Sequence, residues 1–340
     1  MATTGKSTGE TSPVIHIGLG KTATTSLQAH VFPHIPKLRT DVTYNSPALM
    51  HKIKKQIFLH ESEDDVRAIR ELLSESKHFI SSEALVDWNP RGWKLAADRN
   101  LRLFGPDATI ILTIRETEDY LRSIYQQQVH EGNLVSAEEF FLSKHEYDQK
   151  ERFFAPAILD RFDVDSFDLR RLVGIYKKRF NHVVVVPLSQ IGNLSFVKDL
   201  FRLTSESHEF LVGRLFSAPR ANTAFSAFSM GLVLRTERIL ELLSLSSKHN
   251  RFLVADGLFL RKVLNEAPAS SFAHLSKKEK VKQFLPRALR YTFQNVKSRR
   301  LFLQNVVDKL VPYKPYKFSP SVYRNVELAK KNDEFLRSFE

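Results

Sequence analysis

The sequence predicts an α/β protein with a central, mostly parallel sheet flanked by helices and a largely helical C-terminal half. Two observations carry that expectation. The candidate strands at 14–17, 78–81, 109–114 and 182–186 are apolar or β-branched along most of their length instead of alternating, the pattern of strands buried on both faces. Segments with apolar residues at helical spacing lie between them, and strands that alternate with helices build parallel sheets. A chain of 340 residues with 42% hydrophobic content can bury one large core.

In chain order, residues 1–12 (MATTGKSTGETS) are small and polar, lack the apolar centre of a signal peptide and read as a loose tail. The remainder, 13–340, reads as a single domain with a helical extension. Pro13 opens a short strand that ends at Gly18, and 21–31 can be helical until Pro33 stops it. Val66, Ile69, Leu72 and Leu73 mark a helix over 63–77 that leads into the strand at 78–81. Leu95, Leu101 and Phe104 mark another over 93–104, which Gly105-Pro106 ends. The strand at 109–114 precedes a helix over 117–130, and a helix over 167–180 precedes the strand at 182–186 with its four valines. Beyond about residue 190 the patterns are helical, notably 225–244 and 277–310.

Composition narrows the function classes. There is no cysteine, which excludes a disulfide scaffold, a cysteine-ligated zinc site and a thiol nucleophile. The most apolar uncharged segment, 221–234, is too short and too polar to cross a bilayer. The chain therefore reads as soluble, with the cytoplasm as the expected location. Its 51 basic and 38 acidic residues leave +13, a balance that favours an anionic partner. Residues 273–317 hold twelve Lys and Arg against Glu279 and Asp308, so this stretch carries +10 of that charge. It reads either as a solvated face or as a surface for an acidic glycan or lipid. Its interleaved Phe and Tyr read as core, so nucleic acid is not the expected partner.

The turn after the first strand concentrates what a bound phosphate or sulfate needs. It reads Gly18-Leu19-Gly20-Lys21-Thr22-Ala23-Thr24-Thr25-Ser26. Glycines admit an anion to backbone amides, a helix start adds free N–H groups and a positive dipole end, and Lys21 adds full charge. Four hydroxyls can complete the cradle. A nucleoside-triphosphatase loop, G-x-x-x-x-G-K-[ST], would need glycine at position 15, where this chain has Ile15 inside the strand. The strand at 109–114 is followed by Arg115, where such an enzyme often places a magnesium-binding Asp. Both departures point away from Mg-ATP chemistry.

The run Lys21-Thr22-Ala23-Thr24-Thr25-Ser26 resembles the K-[ST]-G-T-[TS] loop with which sulfotransferases hold the 5′-phosphosulfate of 3′-phosphoadenosine 5′-phosphosulfate (PAPS). Ala23 stands where glycine is usual, and a methyl group is tolerated there if the backbone is helical. The resemblance extends to Arg115 and to Ser123, eight residues on and followed by Tyr125, which matches the arginine and S-x-Y pattern that hold the 3′-phosphate in that family. An arginine at the carboxyl end of a parallel strand sits where open α/β sheets collect ligands, and its planar fork suits phosphate oxygens. The likeness covers roughly residues 13–130.

The resemblance implies a PAPS-dependent transfer of a sulfuryl group to an acceptor hydroxyl or amine, with PAP as product and a carbohydrate or glycolipid among the acceptors it admits. Lys21 would neutralise the leaving oxygen, and Gly20, Thr22, Ala23, Thr24, Thr25 and Ser26 would line the donor loop. The strand at 78–81 leads into Ser81-Ser82-Glu83, and the family's catalytic histidine falls on Glu83, a residue type that other branches use as the base. His130 and His16 are the lesser candidates for that role, and Ser81 and Ser82 for contacts to substrate. Arg220 is a candidate for a late basic segment closing over the 3′-phosphate. His30 and His34 have the spacing of a helical metal pair, but Pro33 lies between them and no third ligand is evident. Two other readings stand beside this one: a nucleotide-dependent kinase of P-loop ancestry, and a non-catalytic module that binds a polyanion through the basic stretch.

Overall fold

A computed structural model describes residues 12–58, 63–131, 135–149, 161–217, 225–242, 307–318, 322 and 325–339. Arg220 and the basic stretch up to residue 306 lie outside the described residues. The fold is α/β as predicted: a five-stranded sheet of β1 (Val14–His16), β2 (Val42–Tyr44), β3 (Lys77–Ser81), β4 (Thr109–Ile114) and β5 (His182–Pro187), flanked by helices. All pairings are parallel, in the spatial order 2-3-1-4-5.

The unbroken apolar runs are explained by the two faces they serve. Ile15, Ile80, Ile110 and Leu112 point into one hydrophobic cluster, while Val14, Phe79 and Ile111 belong to the other. Alternate residues of each strand thus enter opposite cores, as the two-residue period of a strand requires. The first core is covered by α2 (Pro47–Phe58), α3 (Glu63–Glu75), α4 (Trp93–Phe104), α5 (Thr117–Glu131) and α6 (Leu169–Lys177). The second is covered by α1 (Thr24–His30), α7 (Ser195–Phe201) and α8 (Ser205–Ser217).

Local sequence accounts for the element boundaries. Helix α3 starts on Glu63, Asp64 and Asp65, whose charges favour the positive end of the helix dipole, and buries Val66, Ile69 and Leu73 along one stripe. Helix α4 stops at Gly105, whose φ of 76° a side chain rarely adopts. Strand β2 escaped the sequence reading because it has only three residues and buries Val42 alone among them. Helix α1 begins at Thr24, three residues later than predicted, because the preceding turn is not helical.

Among the described residues of the C-terminal half are α9 (Ala227–Leu242) and α10 (Val326–Arg337). Two adjacent side chains fasten α10 across the starts of α5 and α6. Buried Asn332 accepts a hydrogen bond from the Leu169 N–H at 2.8 Å and donates to the Phe167 carbonyl at 2.7 Å. Asp333 accepts from the Thr117 N–H at 3.1 Å. Among the described residues no helix is long and apolar enough to cross a membrane.

Candidate functional site

In a parallel sheet every strand ends on the same edge, so the residues after β1, β3 and β4 share one neighbourhood. The sheet order places β1 between β3 and β4, with α1 leaving to one face and α4 crossing over the other. A ligand crevice is expected outside the carboxyl ends of strands where the connections diverge. Here that point lies between β1, which leads to Lys21, and β4, which leads to Arg115.

The loop after β1 is held close to its neighbours. The Ile17 and Leu19 N–H groups donate to the Ile111 and Thr113 carbonyls, each at 3.0 Å, which prolongs the β1–β4 pairing. Gly18 has a φ of 45°, and a Cβ there would stand 2.9 Å from Thr24 Oγ1. At Gly20 a Cβ would stand 2.7 Å from the Trp88 indole, so the glycine is what lets that ring lie on the loop. Lys21 and Ala23 both have left-handed backbone, with φ of 67° and 61°, while Thr22 between them does not. Alternation of this kind turns successive N–H groups toward one side and forms an anion-binding concavity. Ala23 is therefore not helical, as its tolerance required, and its methyl group carries the strain of a left-handed alanine.

Two of the four predicted cradle hydroxyls serve the loop itself. Thr22 is buried, donates to the Leu19 carbonyl at 2.5 Å and lies 2.5 Å from Thr113 Oγ1. Thr24 is likewise buried, within 3.5 Å of Thr22. Thr25 is exposed and Ser26 half-buried.

Arg115 joins the two halves. One guanidinium nitrogen donates to the Lys21 carbonyl at 2.8 Å, and another lies 3.2 Å from Asp119. Its Nε is buried without a partner. Lys21 Nζ donates to Gln127 at 3.1 Å. Asp119, Ser123 and Gln127 follow one another at four-residue intervals on α5, so they form one stripe of that helix. Ser123 thus sits between the residue that Arg115 holds and the residue that Lys21 holds. Tyr125, two residues on, belongs to the core instead: its ring is fully buried and its hydroxyl donates to the Val135 carbonyl at 2.9 Å.

Glu83 opens a short turn, Glu83–Leu85, directly after β3. Helix α4 clamps that turn from beneath: Arg99 donates to the carbonyls of Ala84 and Leu85 at 3.2 Å each, and Asn100 donates to that of Leu85 at 2.7 Å. The buried, unpartnered Tyr120 hydroxyl is held protonated by burial first, then by the negative charges of Glu83 and Asp87, against the opposing charge of Arg115. Those three charged residues therefore act on one phenol.

Sequence reasoning missed Asp87 and Trp88, which nothing in their local pattern marks. Burial raises the Asp87 carboxyl from 3.8 to about 6, against a hydrogen bond from the Asn89 N–H and the charge of Arg99. Asp119 and Gln127 were also missed, although their spacing from Ser123 on a predicted helix marked them as its neighbours.

Both histidines are buried, although His16 adjoins the site: its carbonyl accepts from the Ser82 N–H at 3.0 Å. His16 is fully buried in β1, with Nδ1 2.8 Å from Ser81 Oγ and its ring edge-on to Phe32. Burial lowers its pKa to about 3, so it is neutral at ordinary pH. His130 is buried near the far end of α5, with its ring centre 3.9 Å from that of Phe225. Fifteen residues separate it from Arg115, about 20 Å of helix axis. Ser81 is also buried, bonded to Asn45 and Gln28 as well as His16, while Ser82 is half-buried beside Glu83.

No protein-family model and no curated protein matches the chain.

Proposed function

We propose that the protein is a PAPS-dependent sulfotransferase that moves a sulfuryl group to a hydroxyl or amine of an acceptor. The observation that carries the reading is the pairing of Lys21 and Arg115 across β1 and β4, with Ser123 between their partners on α5. Asp119 and Gln127, which meet the two cations, are eight residues apart, so Arg115 and Lys21 are engaged about two turns apart along α5. Such a site suits a ligand with two distinct anionic groups. The buried unpartnered Nε of Arg115 and the concave backbone of 20–23 fit phosphate oxygens.

When bound, PAPS supplies the activated sulfuryl group. Residues Gly20, Lys21, Thr25 and Ser26 offer amides, charge and hydroxyls to its 5′ end, with Thr22 and Thr24 bracing the loop from below. Arg115 and Ser123 hold the 3′-phosphate. Lys21 supplies fixed positive charge where a leaving oxygen becomes anionic, at no cost of reorganisation. Glu83 takes the proton from the acceptor hydroxyl, since buried His16 and distant His130 are not in position to do so.

Thermal-shift measurements against PAP, Mg-ATP and NAD test the reading. A ligand that binds only the native state raises its stability. PAP is expected to raise the melting temperature and Arg115→Ala to abolish most of the rise. Stabilisation by Mg-ATP without any by PAP would replace this reading with the kinase one. With an acceptor in hand, Glu83→Gln is expected to lower turnover about 10²–10⁴-fold while PAP affinity holds.

A further inference from the structure

Arg115 is not waiting empty-handed. Its guanidinium is 16% exposed and meets the Asp119 carboxylate at 3.2 Å, while the other Asp119 oxygen is held by Arg122 one turn further along α5. A phosphate that took its place on Arg115 would stand beside Asp119, like charge against like. Asp119 nevertheless has a second arginine to retire to, so the exchange does not strand a charge.

Resting on the sulfotransferase reading, we propose that Asp119 is an internal competitor for Arg115 and thereby sets the selectivity of this end of the site. The exchange trades one anion for another on the same guanidinium. A dianionic phosphate monoester gains more from Arg115 than a carboxylate does, whereas a monoanion gains nothing over the ion pair already present. Asp119 therefore rejects singly charged groups and admits a terminal phosphate. It acts through Arg115 and is a positioning residue, not a catalytic one.

Calorimetric titration of the full chain with PAP and with adenosine 5′-monophosphate tests this. Asp119→Asn keeps the shape and removes the charge. Because the pair is partly exposed, PAP is expected to bind about three- to tenfold more tightly to this variant. Adenosine 5′-monophosphate, which has no 3′-phosphate, is expected to change less than about twofold. Glu118→Gln removes the same charge from the same turn at an exposed position and is the control for a general field effect. Circular dichroism checks that each variant is folded. Equal or weaker PAP binding in folded Asp119→Asn would overturn the proposal, because Asp119 would then be aligning Arg115 and not competing for it. An equal gain for both ligands, or in Glu118→Gln, would overturn it as well. If PAP binds neither the parent chain nor any variant, the sulfotransferase reading falls too, an outcome distinct from the other two.

Discussion

His16 converts the burial of β1 into a pH dependence whose size follows from its environment. Its imidazole is fully buried, with Ser81 as a polar partner and no charged residue among the causes of its shift from 6.5 to about 3. The folded-state pKa is lowered, so below about pH 6.5 the unfolded chain binds a proton that the folded chain refuses. Stability is therefore full above the unfolded value and is lost as pH falls through the window from 6.5 to about 3. Integrated from pH 7 to pH 5, the loss comes to about 2 kcal/mol, and from pH 7 to pH 3 to about 4 kcal/mol.

Urea unfolding of the parent chain and of His16→Asn across this range provides the assay. Asparagine retains hydrogen-bonding groups for Ser81 and does not titrate. Repacking lowers the stability of the variant at every pH, but this offset cancels in the slope. The parent is expected to lose about 2 kcal/mol more than the variant between pH 7 and pH 5. Parallel curves would show that His16 is protonated in the folded state, and the argument that excludes it as the base would fail with them.

Other consequences follow from the same geometry. Ala23→Gly relieves a left-handed alanine and is expected to raise stability by about 0.5–1 kcal/mol in urea unfolding, whereas a loss would mean that the methyl group's packing outweighs its strain. Asp87 has a raised pKa, so its contribution to stability is present below 3.8 and lost as pH rises through about 6. Asp87→Asn is accordingly expected to stabilise the protein at pH 7.5 by about 1–2 kcal/mol after allowance for partial exposure, and to do nothing below pH 4. A gain of the same size at both pH values would show that the carboxyl does not titrate in that window.

The fold class was legible in the chain because a parallel sheet covered on both sides demands strands apolar at consecutive positions, as 109–114 and 182–186 are. The loop at 18–26 was legible for a similar reason: Gly18 and Gly20 are required by backbone geometry and close approach, which constrain residue type directly. The short strand β2 and the late start of α1 were not, because three residues carry little periodicity and a left-handed alanine leaves no mark in sequence.

Tertiary structure decided where the marked residues lie. The sequence by itself marked Lys21, Glu83, Arg115 and Ser123, 102 positions apart from first to last, as one candidate site through their resemblance to a family pattern. The strand order 2-3-1-4-5 is what brings their strand ends to one edge. It equally decided that Thr22 and Thr24 brace the loop, that His16 lies inside the sheet, and that Asp87, Asp119 and Trp88 belong to the neighbourhood. Motifs record chemistry that depends on neighbours along the chain. Burial, charge pairing and the pKa shifts they cause depend on neighbours in space, and those come from how the strands are ordered and covered.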